Sequence, residues 1–369
     1  MRRKYISQSW KYFLAAAVLL CFTGCGRQEP AIPPSAPESI DAESSVDYAQ
    51  GEKQQENMEE MHSMEQSAQL QQDDGETGRQ SRQEAVLSKE RTTAEFDVGS
   101  FFELNLVVGD DGVYGYGRRR KGEKSILFQA GAEDGVVRDF DMELEPGISV
   151  RATYADSSGN LHMLLSEGGY SEWTEILALD KSGQAISRID VSGVREEKDI
   201  FGVWMAIGAD GNYYISCAYS GGSSILVVDN NGSLKEYLTL DVRLVWLGTG
   251  RSGRIYGIVY GQDGQYLAML AENGEMEPCP NGEFQGMPII IDCLRPGVEC
   301  ELLLGNRAYG AWAYEDGSLE QIVTAEEMPY QGQDVEGFGF LNDGRMCITG
   351  YRDGTHTIEC LPAEREAWK

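Results

Sequence analysis

The sequence predicts an all-β chain folded as a six-bladed β-propeller, and three observations predict it. A turn recurs between apolar runs at Asp110-Asp111-Gly112, Ser157-Ser158-Gly159, Ala209-Asp210-Gly211, Arg251-Ser252-Gly253, Arg295-Pro296-Gly297 and Asn342-Asp343-Gly344, its glycines 47, 52, 42, 44 and 47 residues apart. A second turn follows 20 to 24 residues after each of the first five, at Gly135, Gly183, Gly232, Gly274 and Gly317. The run Ala94-Glu95-Phe96-Asp97-Val98, ahead of the first unit, resembles the last strand of the second, Ser187-Arg188-Ile189-Asp190-Val191. Asp-Gly and Asn-Gly turns supply the positive φ that tight hairpins require. Each unit therefore reads strand, turn, strand, loop, strand, turn, strand. Four antiparallel strands in about 46 residues is the period of a propeller blade.

The units start near Phe101, Ile148, Ile200, Arg243, Met287 and Val335. The fifth has a degenerate first turn, so five to seven blades are compatible with the spacing. The sixth has three strands, around Gly337–Leu341, Arg345–Tyr351 and Thr357–Leu361. An open ring would expose strand edges, which invite aggregation. Residues 93–98 are therefore predicted to complete the sixth blade and close the ring.

The repeat also accounts for side chains that would otherwise suggest chemistry. Three residues after the first-turn glycine stand His162, Tyr214, Tyr256, Cys300 and Cys347, with Tyr114 one place earlier in its unit. They form one column on the second strand, predicted to pack between blades. Trp204 and Trp246 each lie seven residues before their turn glycine, so blade packing explains them better than a sugar-stacking platform. Asp156, Asp180, Asp229 and Asp292 stand near turns, where Asp accepts backbone hydrogen bonds.

No catalytic constellation, cofactor site or metal site is predicted. Gly248-Thr249-Gly250-Arg251-Ser252-Gly253 matches G-x-G-x-x-G, but a β-rich run follows it where a dinucleotide site needs a helix. There is no G-x-S-x-G and no C-x-x-C. His62 precedes the repeats, and His356 is read as an exposed loop residue. Asp229-Asn230-Asn231-Gly232 lacks the alternating ligands and distal Glu of an EF-hand.

Ahead of the repeats, residues 26–91 carry Pro30, Pro33, Pro34 and Pro37, then Gln-, Glu- and Ser-rich sequence with Tyr48 as its only aromatic. Such a segment buries too little apolar surface to offset its ordering entropy and is predicted to be a disordered tether. Residues 1–25 begin with Arg2, Arg3 and Lys4, continue through Lys11 into the apolar stretch Tyr12–Phe22, and end in Phe22-Thr23-Gly24-Cys25. A basic start and a short apolar core form a secretory signal peptide, too short for an easy membrane span. Its end resembles the bacterial lipobox, with Phe22 where Leu is usual. The resemblance implies that Cys25 receives a lipid and becomes the mature N-terminus, with palmitate among its acyl groups. Residues 92–369 would then be a propeller at the extracytoplasmic face of the cell membrane.

The formal charge is −29, and the first 25 residues hold four basic and no acidic side chains, so the exported part is more negative still. That charge repels nucleic acid and anionic head groups. Arg118, Arg119, Arg120 and Lys121 form the one basic cluster of the repeats and the candidate contact for an anionic partner, such as a cell-wall polymer, a glycan or an acidic protein. Cys21 leaves with the signal. Among the six remaining cysteines, Cys293 and Cys300 would face each other across a hairpin if its loop were Pro296-Gly297, and a structural disulfide is considered there. Pro296 excludes the usual type I′ turn, so that register is open.

Asp210-Gly211-Asn212-Tyr213-Tyr214-Ile215 and Val228-Asp229-Asn230-Asn231-Gly232-Ser233 resemble repeats of bacterial six- to eight-bladed propellers. With the lipobox and acidic tether, the chain resembles the N-terminal half of some Gram-positive lipoproteins in which a propeller precedes a solute-binding domain. It departs from them in ending at Lys369. The function expected is a lipid-anchored binding or scaffolding module. An accessory of an ABC importer for sugars or peptides, and a glycan-acting hydrolase or lyase, are the alternatives.

Overall fold

The computed structural model describes residues 91–361 apart from 102, 110, 169–171, 195, 197–199, 262–263, 285–290, 329–334 and 353–354. The predicted signal peptide, Cys25 and nearly all of the tether lie outside these residues.

The described chain is an all-β propeller of six four-stranded antiparallel sheets. A strand of its own, β1 (Thr92–Phe96), comes first. Blade 1 holds β2 (Glu103–Val108), β3 (Gly112–Arg118), β4 (Ser125–Gly131) and β5 (Val137–Leu144); blade 2 holds β6 (Ile148–Ala155), β7 (Leu161–Glu167), β8 (Trp173–Leu179) and β9 (Ala185–Asp190). Blade 3 follows with β10 (Ile200–Ile207), β11 (Tyr213–Tyr219), β12 (Gly222–Val228) and β13 (Leu234–Leu240); blade 4 with β14 (Arg243–Thr249), β15 (Ile255–Gly261), β16 (Gly264–Leu270) and β17 (Met276–Glu283). Blade 5 contains β18 (Cys293–Pro296), β19 (Leu302–Asn306), β20 (Gly310–Glu315) and β21 (Ser318–Thr324); blade 6 contains β22 (Val335–Phe340), β23 (Met346–Arg352) and β24 (Thr355–Leu361). The four strands of a blade are called A to D in chain order.

β1 supplies the D strand of blade 6. It pairs antiparallel with β24, from Thr92 opposite Cys360 to Phe96 opposite His356. The predicted closure is therefore observed, one residue earlier than expected at its start. A strands of neighbouring blades touch, so they line the axis. B and C strands such as β7 are buried almost throughout, being covered on both faces by adjacent blades. D strands such as β13 are mostly exposed and carry the polar residues.

Six apolar clusters fill the gaps between blades. Phe96, Val98, Val108, Val113, Ile358 and Cys360 join blade 6 to blade 1, and Tyr114, Phe140, Met163 and Leu177 join blade 1 to blade 2. The remaining four gaps are filled likewise. Each blade is thus half of two cores, and the hydrophobic stabilisation is distributed around the ring.

The second-turn glycines 135, 183, 232, 274 and 317 all have positive φ, between 65° and 82°. At Gly232 a side chain is excluded twice, since a Cβ would also lie 1.9 Å from the Asp190 carbonyl of the preceding blade. The first turns are longer than the two-residue loop considered for blade 5. In blades 2 to 6 they span five residues, 156–160, 208–212, 250–254, 297–301 and 341–345. The glycine is fourth in each except in blade 5, where Cys300 takes that place. Cys293 consequently pairs with Gly305, not Cys300. The register disfavours the considered disulfide, because Cys300 sits in the turn and not across the ladder from Cys293. The packing column in blade 5 accordingly passes through buried Leu303 instead of Cys300.

The rest of that column packs between blades as predicted. The Tyr114 hydroxyl donates to the Gly159 carbonyl of blade 2 at 2.7 Å, and His162 Nδ1 meets the Tyr213 hydroxyl of blade 3 at 3.1 Å. Trp204 and Trp246, in neighbouring A strands, pack with ring centroids 6.0 Å apart. His356 is not an exposed loop residue. It lies in β24, 6% exposed, stacked on Phe96, beside Tyr351 and 2.7 Å from Glu336 Oε2.

Asp156, Asp180 and Asp229 share one device, accepting the N–H groups two and four residues on. Asp292 accepts the Arg307 N–H instead and pairs with its guanidinium at 3.1 Å. Burial raises the affinity of Asp156 for a proton, but hydrogen bonds from His162 and Asn160 outweigh it and hold the carboxyl at about 2. A depressed folded pKa contributes stability above the ordinary carboxyl pKa and loses it as pH falls through the folded value. Asp156→Asn is expected to cost about 2 kcal/mol at pH 7 and progressively less between pH 4 and pH 2. Urea unfolding across that range checks it; a pH-independent difference would contradict the assignment.

Candidate functional site

The two ends of the ring differ. The first turns crowd one end, and hydrogen bonds lace them together. The Ala209 N–H donates to Gly253 O at 3.0 Å and the Arg251 N–H to Glu301 O at 2.8 Å, joining blades 3, 4 and 5. Buried Arg295, on β18 of blade 5, donates from Nη1 to the Phe340 carbonyl of blade 6 and, at 3.2 Å, to the Gly109 carbonyl of blade 1. Its Nη2 donates to Asn342 Oδ1 at 2.6 Å, and Asn342 Nδ2 donates onward to the Ser157 carbonyl of blade 2 at 2.9 Å.

Links from blade 5 to blade 1 and from blade 6 to blade 2 skip a blade, so they cross the axis. Tyr154 of blade 2 likewise hydrogen-bonds with Thr249 of blade 4, whose hydroxyl donates to Ile207 O at 2.7 Å. This end of the axis is held by polar side chains already engaged with protein groups.

The other end carries the B-to-C loops and the D-to-A connections. Long connections on a rigid scaffold are where binding residues concentrate. β-bulges sit at this end of four A strands, beside Arg151, Phe201, Val245 and Glu336. A bulge re-aims the side chains around it.

Between blades 3 and 4 this end presents a clamp that the sequence did not reveal. Arg243, the first residue of β14, has its guanidinium carbon 5.1 Å from the Phe201 ring centroid and 5.6 Å from that of Tyr260. Phe201 and Tyr260 are 48% and 39% exposed, unusual for large apolar side chains in this fold. Arg243 Nε is buried without a hydrogen-bond partner, and among the described residues no carboxylate forms an ion pair with it. Cation–π packing on two rings restrains the guanidinium, and a restrained Arg fork is suited to recognise carboxylate or phosphate oxygens. Buried Glu196, ahead of blade 3, accepts a hydrogen bond from the Tyr237 hydroxyl at 2.7 Å and one from Ser224.

The predicted basic cluster lies at the same end but is not a uniform cationic surface. Arg118 is half-buried and donates to Ser125 Oγ at 3.1 Å and to the Ile148 carbonyl at 2.8 Å, tying blade 1 to blade 2. Arg119 lies over the Phe101 ring at 5.5 Å. Arg120 is 3.8 Å from Glu123 Oε1, and Lys121 is exposed. Arg118 alone ties the blade to its neighbour, and the other three are exposed. Among the described residues no group of three or more His, Cys, Asp or Glu is placed to hold a metal ion.

No protein-family model matches the sequence, and no curated protein matches it. Solved structures similar to the chain are propellers. A streptogramin B lyase aligns at 12% identity over 73% of this chain and 97% of its own, with a TM-score of 0.42. Virginiamycin B lyase from Staphylococcus aureus aligns at 9% over 74% of this chain and 99% of its own, with a TM-score of 0.45. A putative gluconolactonase aligns at 14% over 74% and 94%, with a TM-score of 0.47. Likeness at this level carries no argument about activity.

Proposed function

We propose that this chain is a lipid-anchored, extracytoplasmic binding module, and that its ligand docks on the connection-bearing end of the propeller through an oxyanion held by Arg243. The observation that carries the ligand class is the Arg243 guanidinium, packed over two exposed rings with no carboxylate ion pair among the described residues. The signal peptide, the lipobox ending at Cys25 and the acidic tether support the anchored location. The chain's negative charge disfavours polyanions, whose many charges would meet repulsion around the clamp. A favoured ligand therefore presents one carboxylate or phosphate on an otherwise neutral frame, whose apolar face can rest on Phe201 or Tyr260. An acidic sugar meets that description.

Glucuronate is expected to raise the thermal midpoint of the chain by mass action, and glucose to raise it far less. Arg243→Ala is expected to weaken glucuronate binding at least tenfold, about 1.4 kcal/mol, while leaving the melt cooperative. Substituting Arg120 and Lys121 together is expected to change affinity less than threefold and mainly alter its salt dependence. Equal shifts with glucose and glucuronate, or full binding by Arg243→Ala, would refute the oxyanion clamp. Inorganic phosphate distinguishes a phosphate preference from a carboxylate one.

A further inference from the structure

We infer that Cys347 and Cys360 are joined by a disulfide in the exported protein, stapling the last two strands of the closing blade. Cys347, on β23, pairs directly with Cys360 on β24 in antiparallel register. Directly opposed residues in such a pair have Cα atoms roughly 4.5–5.5 Å apart, inside the range a disulfide spans. The two side chains point to the same face, both are fully buried in the cluster joining blades 6 and 1, and Cys360 lies within side-chain hydrogen-bonding reach of Cys347. None of the other cysteine pairs on adjacent strands among the described residues is opposed in this way.

The bond forms by thiol–disulfide exchange. One thiol loses its proton and attacks a disulfide-class oxidant, either an oxidoreductase or a small-molecule disulfide. The second thiolate then displaces the oxidant's remaining thiol from the mixed disulfide. The two cysteines lose two protons and two electrons, and the oxidant leaves as two thiols. Both sulfurs are covered in the closed ring, and burial raises the Cys347 thiol well above its ordinary value. Exchange therefore belongs to the stage before β1 covers β24, when the β23–β24 hairpin is still reachable. After closure the same burial protects the bond from reduction. Its presence in the cell rests on the exported location proposed above, because a reducing cytosol would keep both thiols free.

The full chain, unfolded with reductant and refolded with oxidised glutathione, is digested with trypsin under non-reducing conditions. The expected product links Met346–Arg352 to Asp353–Arg365, two hydrogens lighter than the separate peptides. The oxidised protein is expected to melt roughly 5–10 °C above its reduced form, a gap absent from the Cys347→Ala/Cys360→Ala double variant. If that variant does not fold, the wild-type gap on adding reductant is the readout. Both peptides recovered as free thiols, or a link involving Cys217, Cys279, Cys293 or Cys300, would overturn the pairing. Chain taken from the cell envelope under thiol trapping is expected to carry the same link. A link that forms in the refolded protein but is missing from envelope material would overturn the exported location and leave the geometry standing.

Discussion

A chain that begins at Gly99 is expected to lose its cooperative melt and to associate through the uncovered edge of β24. β1 contributes the fourth strand of blade 6, so its removal unpairs His356–Cys360 along one side and opens the ring. It also withdraws Phe96 and Val98 from the cluster joining blades 6 and 1, along with buried Ala94. The point variant Phe96→Ala isolates the packing share. Phe96 is 3% exposed and stacks on His356, so its truncation is expected to cost about 3–5 kcal/mol, measured by urea denaturation. The strand supplied in trans as a peptide covering residues 91–98 should restore part of the deleted chain's midpoint. An unchanged midpoint in the deleted chain would show that the ring does not need its clasp.

Arg295→Ala is expected to be the most destabilising change near the axis, costing about 3 kcal/mol or more. The side chain is 8% exposed and donates to groups in blades 1 and 6. Its loss leaves the Gly109 and Phe340 carbonyls and the Asn342 amide oxygen competing for water in a site that side chains fill. Since Asn342 passes the contact on to Ser157, the loss should also loosen blade 2. Arg295→Met keeps most of the volume without the donors, so the difference between the two variants separates packing from hydrogen bonding. A cost below about 0.5 kcal/mol for both, the range of ordinary surface substitutions, would mean that the lacing is incidental.

Much of this architecture was legible because the glycines mark turns at regular intervals. Gly159, Gly211, Gly253 and Gly344 occupy the same place in equivalent five-residue turns, so the period emerged. Blade 5 defeated the same reasoning. Pro296-Gly297 imitates a turn, while Cys300 stands where the glycine belongs, so the column slipped by three residues and the partner of Cys293 by five. The run Leu302-Leu303-Leu304 was the available correction, since it restores the apolar stretch that begins the B strand. His356 was misjudged because Thr355 follows a loop-like Asp-Gly pair, and only the position of β1 reveals that the ring is covered. The Arg243 clamp had no signature at all. Its three residues come from β10, β14 and β15, and a chemical site assembled across two blades leaves no spacing to recognise. Phe201 and Tyr260 would have been assigned to the core by composition, and only their exposure marks them.

The pairing of β1 with β24 has a consequence for the order of events in the living chain. A ribosome makes β1 before every blade and β24 after the other strands of the ring, so its partner does not exist until blade 6 emerges. Closing a loop of about 260 residues costs roughly 3 kcal/mol more entropy than closing a hairpin of about ten. Blades 1 to 5 are built from near neighbours and can assemble as a growing arc, each strand meeting the one before it. The clasp is therefore a checkpoint on completeness: a prematurely terminated chain retains most of its blades but never seals, and presents a raw edge that quality-control proteases can recognise.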